Sequence, residues 1–427
     1  MLKLLRVRDF RLLWLGGLIS MTGDWALMAG VPYVVYLETG STLATAGMVL
    51  AGLLPQILFS TTAGVFADRW DRRRLMILVN IALAIVLLPL LGVDTIGIWI
   101  VYAVIVAATV LEQLFTPAEV ALLPQLVGEE HLVEANSLSS LNRNLSRLIG
   151  PGLGGIAVAL AGLPGVVVID AASFVASAAL IALIPARASF KPTSAAAHHE
   201  AAAASALRRL ITELRDGVAQ ATTSPLLMAV LAFTLITAIG EGVLGALFVP
   251  WVTDILHGDD LVYAAVLSTQ AIGGLLGAVL VGRYLRNVAP ARMLGVGAVL
   301  FGLIDLVLFT YPVISPIIWP ALVGMVIVGV PATAIGVGFT TIQQTEVADS
   351  HRGRIVGLSL TLQAVGAFLG TSIGGLLGNS IGILPLIVIQ GSGYAISGLI
   401  VLAVARRVRR SAAVPEHESS MAPAESL

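Results

Sequence analysis

Cysteine is absent from the 427 residues, which removes disulfides, thiolate metal sites and cysteine nucleophiles from consideration. Charge is scarce as well. Asp, Glu, Lys and Arg make up 11% of the chain and hydrophobic residues 57%, whereas a soluble domain carries about 25% charged residues. So little polar material cannot cover a water-facing surface, and lipid is the expected solvent for most of the chain. Lysine occurs only as Lys3 and Lys191, and neither follows a glycine in a Gly-Lys-Ser/Thr phosphate loop. No ATP-hydrolysing site of that type is therefore expected, and any pumping would draw on an ion gradient or another subunit. The six histidines fall outside the long apolar runs, so no buried histidine relay is available. No run offers paired metal ligands or a serine–histidine arrangement, which argues against an intramembrane enzyme. No cofactor, metal or nucleic-acid partner is expected.

What is present is apolar sequence in long blocks, with 44 glycines. Glycine is frequent in membrane helices because it lets backbones approach closely. About 20 mainly apolar residues span a bilayer. Such runs lie near 11–37, 44–66, 75–93, 97–118, 136–160 and 164–185, then near 225–253, 261–283, 291–311, 316–342, 355–378 and 383–405. The first run is basic and then apolar for long enough to span, so it reads as a helix and not a cleaved signal peptide. The chain divides accordingly into an N-terminal half over 1–185, a connector over 186–224, a C-terminal half over 225–410 and a disordered cytoplasmic tail over 411–427. Within the connector, Leu207, Leu210, Ile211, Leu214 and Val218 share one helical face. That spacing fits an amphipathic helix on the membrane surface or a solvated linker helix.

The basic residues test the helix count, because they favour cytoplasmic loops. With both ends inside, the inner segments hold Lys3 to Arg11, Arg69 to Arg74, Arg143 with Arg147, Arg187 to Arg215, Arg283 to Arg292, Arg352 with Arg354, and Arg406 to Arg410. These groups account for all 24 lysines and arginines. A wrong number of spans would scatter them over both sides. The expectation is an all-α integral membrane protein of twelve transmembrane helices, multi-pass in the cell membrane, with both termini cytoplasmic. The halves also resemble each other. Gly23-Asp24 with Pro32 downstream matches Gly240-Glu241 with Pro250, and Gly150-Pro-Gly-Leu-Gly-Gly155 matches Gly370-Thr-Ser-Ile-Gly-Gly375, at offsets of about 217 to 220 residues. Two repeated six-helix halves imply a substrate site at their interface near the bilayer midplane.

At this point the chain resembles the major facilitator superfamily from end to end. Between helices two and three, Gly64-Val-Phe-Ala-Asp68-Arg69-Trp-Asp71-Arg72-Arg73-Arg74 is similar to the superfamily's signature loop, with Asp71 where a second glycine is usual. Helix five carries Gly150, Pro151, Gly152, Gly154 and Gly155, similar to the motif of drug:proton antiporters. Pro117-Ala118, Ala121 to Pro124, Ala135-Asn136, Ile169-Asp170, Ser173-Phe174, Gln343 and Arg352-Gly353-Arg354 resemble the macrolide-efflux and enterobactin-exporter branch. Helix four has Leu111-Glu112-Gln113 where many proton antiporters carry an arginine. The resemblance implies the major facilitator fold, alternating access, and proton-driven efflux of multidrug or macrolide type, by a monomer.

The candidate residues follow. Gly64, Asp68, Arg69, Arg72 and Arg73 form a candidate cytoplasmic gate, in which Asp68 accepts bonds from the amides at the start of helix eleven; the ordinary alternative is a basic loop that only fixes orientation. Gly150, Pro151, Gly154 and Gly155 suit an outer gate, or simply close packing. Acids within spans are costly, about 2.5–3.5 kcal/mol each at a helix centre on insertion scales, and usually face a cavity or a partner. Glu112 and Arg143 are expected to pair. Asp24 and Glu241 occupy matching places and have no basic partner evident at their depth, so they are the leading proton-coupling candidates, ahead of Glu112 and Asp305. Asp170 reads as structural. Trp25, Met28, Tyr33, Tyr36, Phe248, Trp251, Gln270 and Gln363 are candidate cavity residues, with Gln343 and Gln344 as further hydrogen-bonding groups. This lining suits an amphipathic small molecule, with protons and the lipid bilayer as the other partners. A siderophore or metabolite exporter, an uncoupled facilitator, and a non-transporting receptor are the rival readings.

Overall fold

The structure is a computed structural model that describes residues 2–67, 70–185, 218–222, 224–347 and 349–412. It is helical almost throughout. In lipid a spanning segment must satisfy its own backbone polar groups, and a helix does so within one segment. The helices are α1 (Arg8–Thr39), α2 (Thr42–Ala67), α3 (Arg72–Leu87, continued by short turns to Ile96) and α4 (Trp99–Val127). A 51-residue stretch, Leu132–Ala182, comes next. It is followed by α7 (Pro225–Pro250), α8 (Asp260–Tyr284), α9 (Pro290–Thr310), α10 (Ile318–Thr345), α11 (Asp349–Ile381) and α12 (Ile383–Ala412).

The long stretch is two antiparallel helices, α5 before Gly162 and α6 after it. Gly162 alone leaves helical geometry, at φ 60° and ψ −156°, a conformation open to glycine but strained for other residues. The neighbours on α1 prove the reversal. Asn142 and Gly154 of α5 meet Trp14 and Ala26, rising together, whereas Val166 and Ser177 of α6 meet Gly30 and Gly16, running oppositely. Ten helices are long and apolar enough to cross a membrane among the described residues. They give twelve passes once Leu132–Ala182 is read as two arms and the 26-residue α2 is included. Local chemistry ends these helices where expected. Asp71 caps α3 by accepting the Arg74 amide at 2.8 Å, with φ −60°, so a glycine is not needed there. Ser224 caps α7 just before Pro225, and Asp259 caps α8.

Two internal copies pack alike. In the N-terminal half a Cβ built on Gly150 would fall 2.8 Å from the Thr22 carbonyl oxygen, and one on Gly154 2.4 Å from that of Ala26. In the C-terminal half, Gly370 meets the backbone of Ile239 and Gly374 that of Val243. Adding about 217 to the α1 numbers and 220 to the α5 numbers converts one set into the other. The next glycine along reaches across to the other half in each case: Gly155 lies against Ala264 of α8, and Gly375 against Ala46 of α2. The halves are therefore joined by the related pairs α5–α8 and α11–α2, with α2 also touching α7.

Of the connector, only residues 218–222 and Ser224 are described, and of the tail only its first two residues, which continue α12 to Ala412. The amphipathic face through Leu207 to Leu214 lies outside the described residues.

Candidate transport site

The halves are sealed at the end of the bundle away from the termini. There the Tyr36 hydroxyl donates to Asp254 Oδ2 at 2.5 Å, and Thr42 Oγ1 to the Gly375 carbonyl at 2.9 Å. Thr45 Oγ1 donates to Ala246 O at 3.0 Å, and Tyr33 stacks on Tyr263 with ring centres 5.7 Å apart. One apolar cluster runs through both halves at this level, including Ala29, Tyr33, Tyr36, Ala46, Val243, Leu247 and Val266. Gly155 of the helix-five motif belongs to this closure through Ala264 and the Asp260 carbonyl, whereas Gly150 and Gly154 hold α5 to α1 inside one half. Pro151 is buried, and α5 runs through it without leaving helical geometry.

Deeper in the bundle, charged side chains line a space that solvent reaches. Arg147 on α5, Glu241 on α7 and Glu112 on α4 are all exposed although each lies in mid-span. The N-terminal half gathers three acids: Asp24 acts electrostatically on Asp170, and Glu112 on both. Gly23 makes the room, since a Cβ there would fall 2.3 Å from Asp170 Oδ1 and from Ser173 Oγ. Asp170 is fully buried; its Oδ1 accepts from Ser173 at 3.2 Å and its Oδ2 has no hydrogen-bond partner. The equivalent place in the C-terminal half is built differently. Glu241 Oε1 accepts from Tyr394 at 2.8 Å and from Gln390 at 3.2 Å, and Asp305 lies within electrostatic reach. Gln390 is the repeat counterpart of Asp170, about 220 residues on. One half meets its α1-type acid with neutral donors, the other with a second carboxyl.

Several expectations change. Among the described residues no ion pair within 4.0 Å joins Glu112 to Arg143; Arg143 instead acts on Glu119, two turns nearer the termini on the same face of α4. Glu241 does have a cation at its depth, for Arg147 acts on it across the halves. Sequence position hid this, because the facing residues lie 94 apart in a chain whose helices α5 and α7 meet only through the tertiary fold. Trp251 is not a cavity residue: it is fully buried and its indole N–H donates to the Phe309 carbonyl at 2.9 Å. Phe248 stacks on it with centres 6.1 Å apart. Their apolar bulk fills the C-terminal core beside Phe309. Gln343 is buried too, bonding Ser359 at 2.8 Å to tie α10 to α11.

The other candidates spread over distinct places. Trp25 and Gln270 meet at Arg147, Met28 is exposed one turn on from Trp25, and Gln363 is exposed on α11. Gln344 offers its carbonyl to Arg352 at 2.8 Å. Arg72 donates to the Ala121 carbonyl at 2.7 Å, and Arg73 to those of Ile181 and Ala182. These bonds brace α3 against α4 and α6 within one half. Gly64 lies in α2, while Asp68 and Arg69 fall outside the described residues.

Twelve helices in two repeated halves, joined by α2–α11 and α5–α8 around a polar mid-span space, define a major facilitator transporter. The family comparison is more specific. The chain belongs to the transmembrane secretion effector family, whose model matches residues 2–426. Relatives include the multidrug efflux pump Tap of Mycolicibacterium fortuitum, 26% identical with 87% of this chain and 90% of that protein covered. Macrolide efflux protein A of Streptococcus pyogenes is 22% identical, covering 93% and 94% respectively. The enterobactin exporter EntS of Citrobacter koseri is 26% identical, covering 94% and 92%. Among solved structures, a bacterial homologue of the iron transporter ferroportin in its inward-facing state superposes with a TM-score of 0.71, at 17% identity over 93% of this chain and 98% of that one. Relatives and fold alike are those of transporters, not enzymes.

Proposed function

We propose that the protein exports amphipathic, drug-like small molecules across the cytoplasmic membrane by alternating access, as a proton antiporter coupled through Asp24. The observation that carries this is the asymmetry between the two equivalent acid sites. Glu241 is supplied with two neutral hydrogen-bond donors, whereas Asp24 faces Asp170 and Glu112. Like charges at one low-dielectric site repel strongly, so a bound proton relieves repulsion from two neighbouring carboxyls at Asp24 and from one, Asp305, at Glu241. Asp170 belongs to the same proton site, because its Oδ2 is buried and unpartnered. The sealed end carries the acidic loops, and the all-basic distribution makes the opposite, termini-bearing face cytoplasmic. The arrangement described is then closed on its outer side.

The energetics suffice. A charge crossing 100 mV releases about 2.3 kcal/mol, and at about 1.4 kcal/mol per tenfold ratio one proton sustains roughly a 50-fold gradient of a neutral substrate. The test is proton-gradient-driven flux of an amphipathic dye and macrolide panel in proteoliposomes, comparing wild type with Asp24→Asn, Asp170→Asn and Glu241→Gln. Asp24→Asn is expected to abolish gradient dependence while exchange of substrate persists, with Glu241→Gln retaining it. Gradient-driven flux unchanged in Asp24→Asn would remove coupling from this acid. A second reading, export of a siderophore or other metabolite, is favoured by the relationship to the enterobactin exporter; dye and macrolide flux absent alongside siderophore flux present would select it.

A further inference from the structure

Arg147 is a mid-span cation that the coupling scheme leaves unused. It is held from three directions. Its Nη2 donates to Gln270 Oε1 of α8 at 2.6 Å, so a helix of the other half orients it. Its guanidinium lies over the Trp25 ring of α1, 5.6 Å from the centroid. Glu241 of α7 faces it electrostatically, yet among the described residues no ion pair within 4.0 Å joins the two. Arginine carries five N–H donors and no acceptor. Gln270 takes one, and the Arg147 side chain makes no other hydrogen bond among the described residues. A cation in mid-span is costly unless it is paired or has a task. This one is exposed to the space between the halves, beside a flat aromatic face, with Met28 exposed a turn farther along α1.

We infer that Arg147, Trp25 and Gln270 form an anion-selective head-group site, which binds a carboxylate or similar delocalised anion carried on a flat apolar body. The planar fork of the guanidinium matches such a head bidentately. Trp25 and Met28 offer the adjoining apolar surface. Gln270, as a neutral acceptor, aims the fork without cancelling its charge. Glu241 stands close enough to oppose the bound anion and far enough to leave the donors free. The site spans α1 and α5 of one half and α8 of the other, so its occupant touches both. The inference rests on the transport reading for its purpose, but binding to it needs neither coupling nor flux.

That independence sets the experiment. The full chain in lipid nanodiscs is titrated with three matched fluorophores: 1-pyrenebutyrate, its primary amide, and the corresponding trimethylammonium. Wild type is expected to bind the carboxylate about tenfold more tightly than the amide, the size of a charge-assisted pair. Arg147→Gln removes that preference, and Arg147→Lys retains part of it. Glu241→Gln acts in the opposite direction, raising carboxylate affinity, whereas loss of a merely structural bridge lowers binding of all three probes in both variants. No carboxylate preference in wild type, including no measurable binding, overturns the inference, as does a preference that survives Arg147→Gln. A preserved preference in a protein that shows no gradient-driven flux sinks the antiport reading and leaves this site standing.

Discussion

Glycine acts at single positions here by removing a Cβ where another helix's backbone must pass. At Gly154 the missing atom would lie 2.4 Å from the Ala26 carbonyl oxygen and 2.9 Å from its Cα, and backbone cannot swing aside as a side chain can. Gly152, two residues earlier, has only Ser268 Oγ nearby, at 3.8 Å. Gly154→Ala is therefore expected to lose about 1–3 kcal/mol, as overpacking does, seen as a lowered Tm in detergent, while Gly152→Ala leaves Tm unchanged. Equal shifts in both would show that helix propensity and not close approach governs the pair. The motif was legible in the sequence. That Gly150 and Gly154 serve α1 while Gly155 serves α8 was not, because neighbours on one helix are assigned to different partners only by its rotation in the bundle.

At the scale of helices, the described junction is a clasp between α2 and α11 with its counterpart between α5 and α8. Alternating access requires such a clasp to open. The absence of native cysteine makes this directly testable. A Cβ on Gly378 would lie 2.8 Å from Thr42 Oγ1 and Cγ2, which places a Thr42→Cys/Gly378→Cys pair within disulfide reach. Oxidation of the double variant is expected to arrest flux in proteoliposomes and reduction to restore it. Flux undiminished by a completed cross-link would mean that the clasp does not open during transport. The helices themselves were readable from apolar length, within a few residues at most ends. The turn between 160 and 164 contracts to Gly162, whose tight geometry lets α5 and α6 both pack on α1.

For the molecule as a whole, the proposed orientation rests on charge placement and not on net charge, which is −1. Gly40, exposed where α1 ends with φ 57°, and Arg286, exposed beyond α8, lie at opposite ends of the bundle. Single-cysteine variants at these positions separate the topologies: a membrane-impermeant maleimide applied to intact cells is expected to label Gly40→Cys and spare Arg286→Cys. The reverse pattern would place the termini outside and turn the proposed export into uptake.

The sequence by itself determined the solvent, the number of passes, the internal repeat and the family, because each is written in composition or in periodic spacing along one chain. It also placed the costly acids at mid-span depth, since depth follows from counting along a helix. What only the tertiary structure decided is which of those groups meet. Arg143 acts electrostatically on Glu119 and is not ion-paired with Glu112, Asp24 is within electrostatic reach of Asp170, and Arg147 of Glu241, with Gln270 and Trp25 around Arg147. Depth is a one-dimensional quantity, but partnership depends on the rotation of each helix about its axis and on which half it leans against. Those angles are set by glycine-to-backbone contacts between segments far apart in the chain.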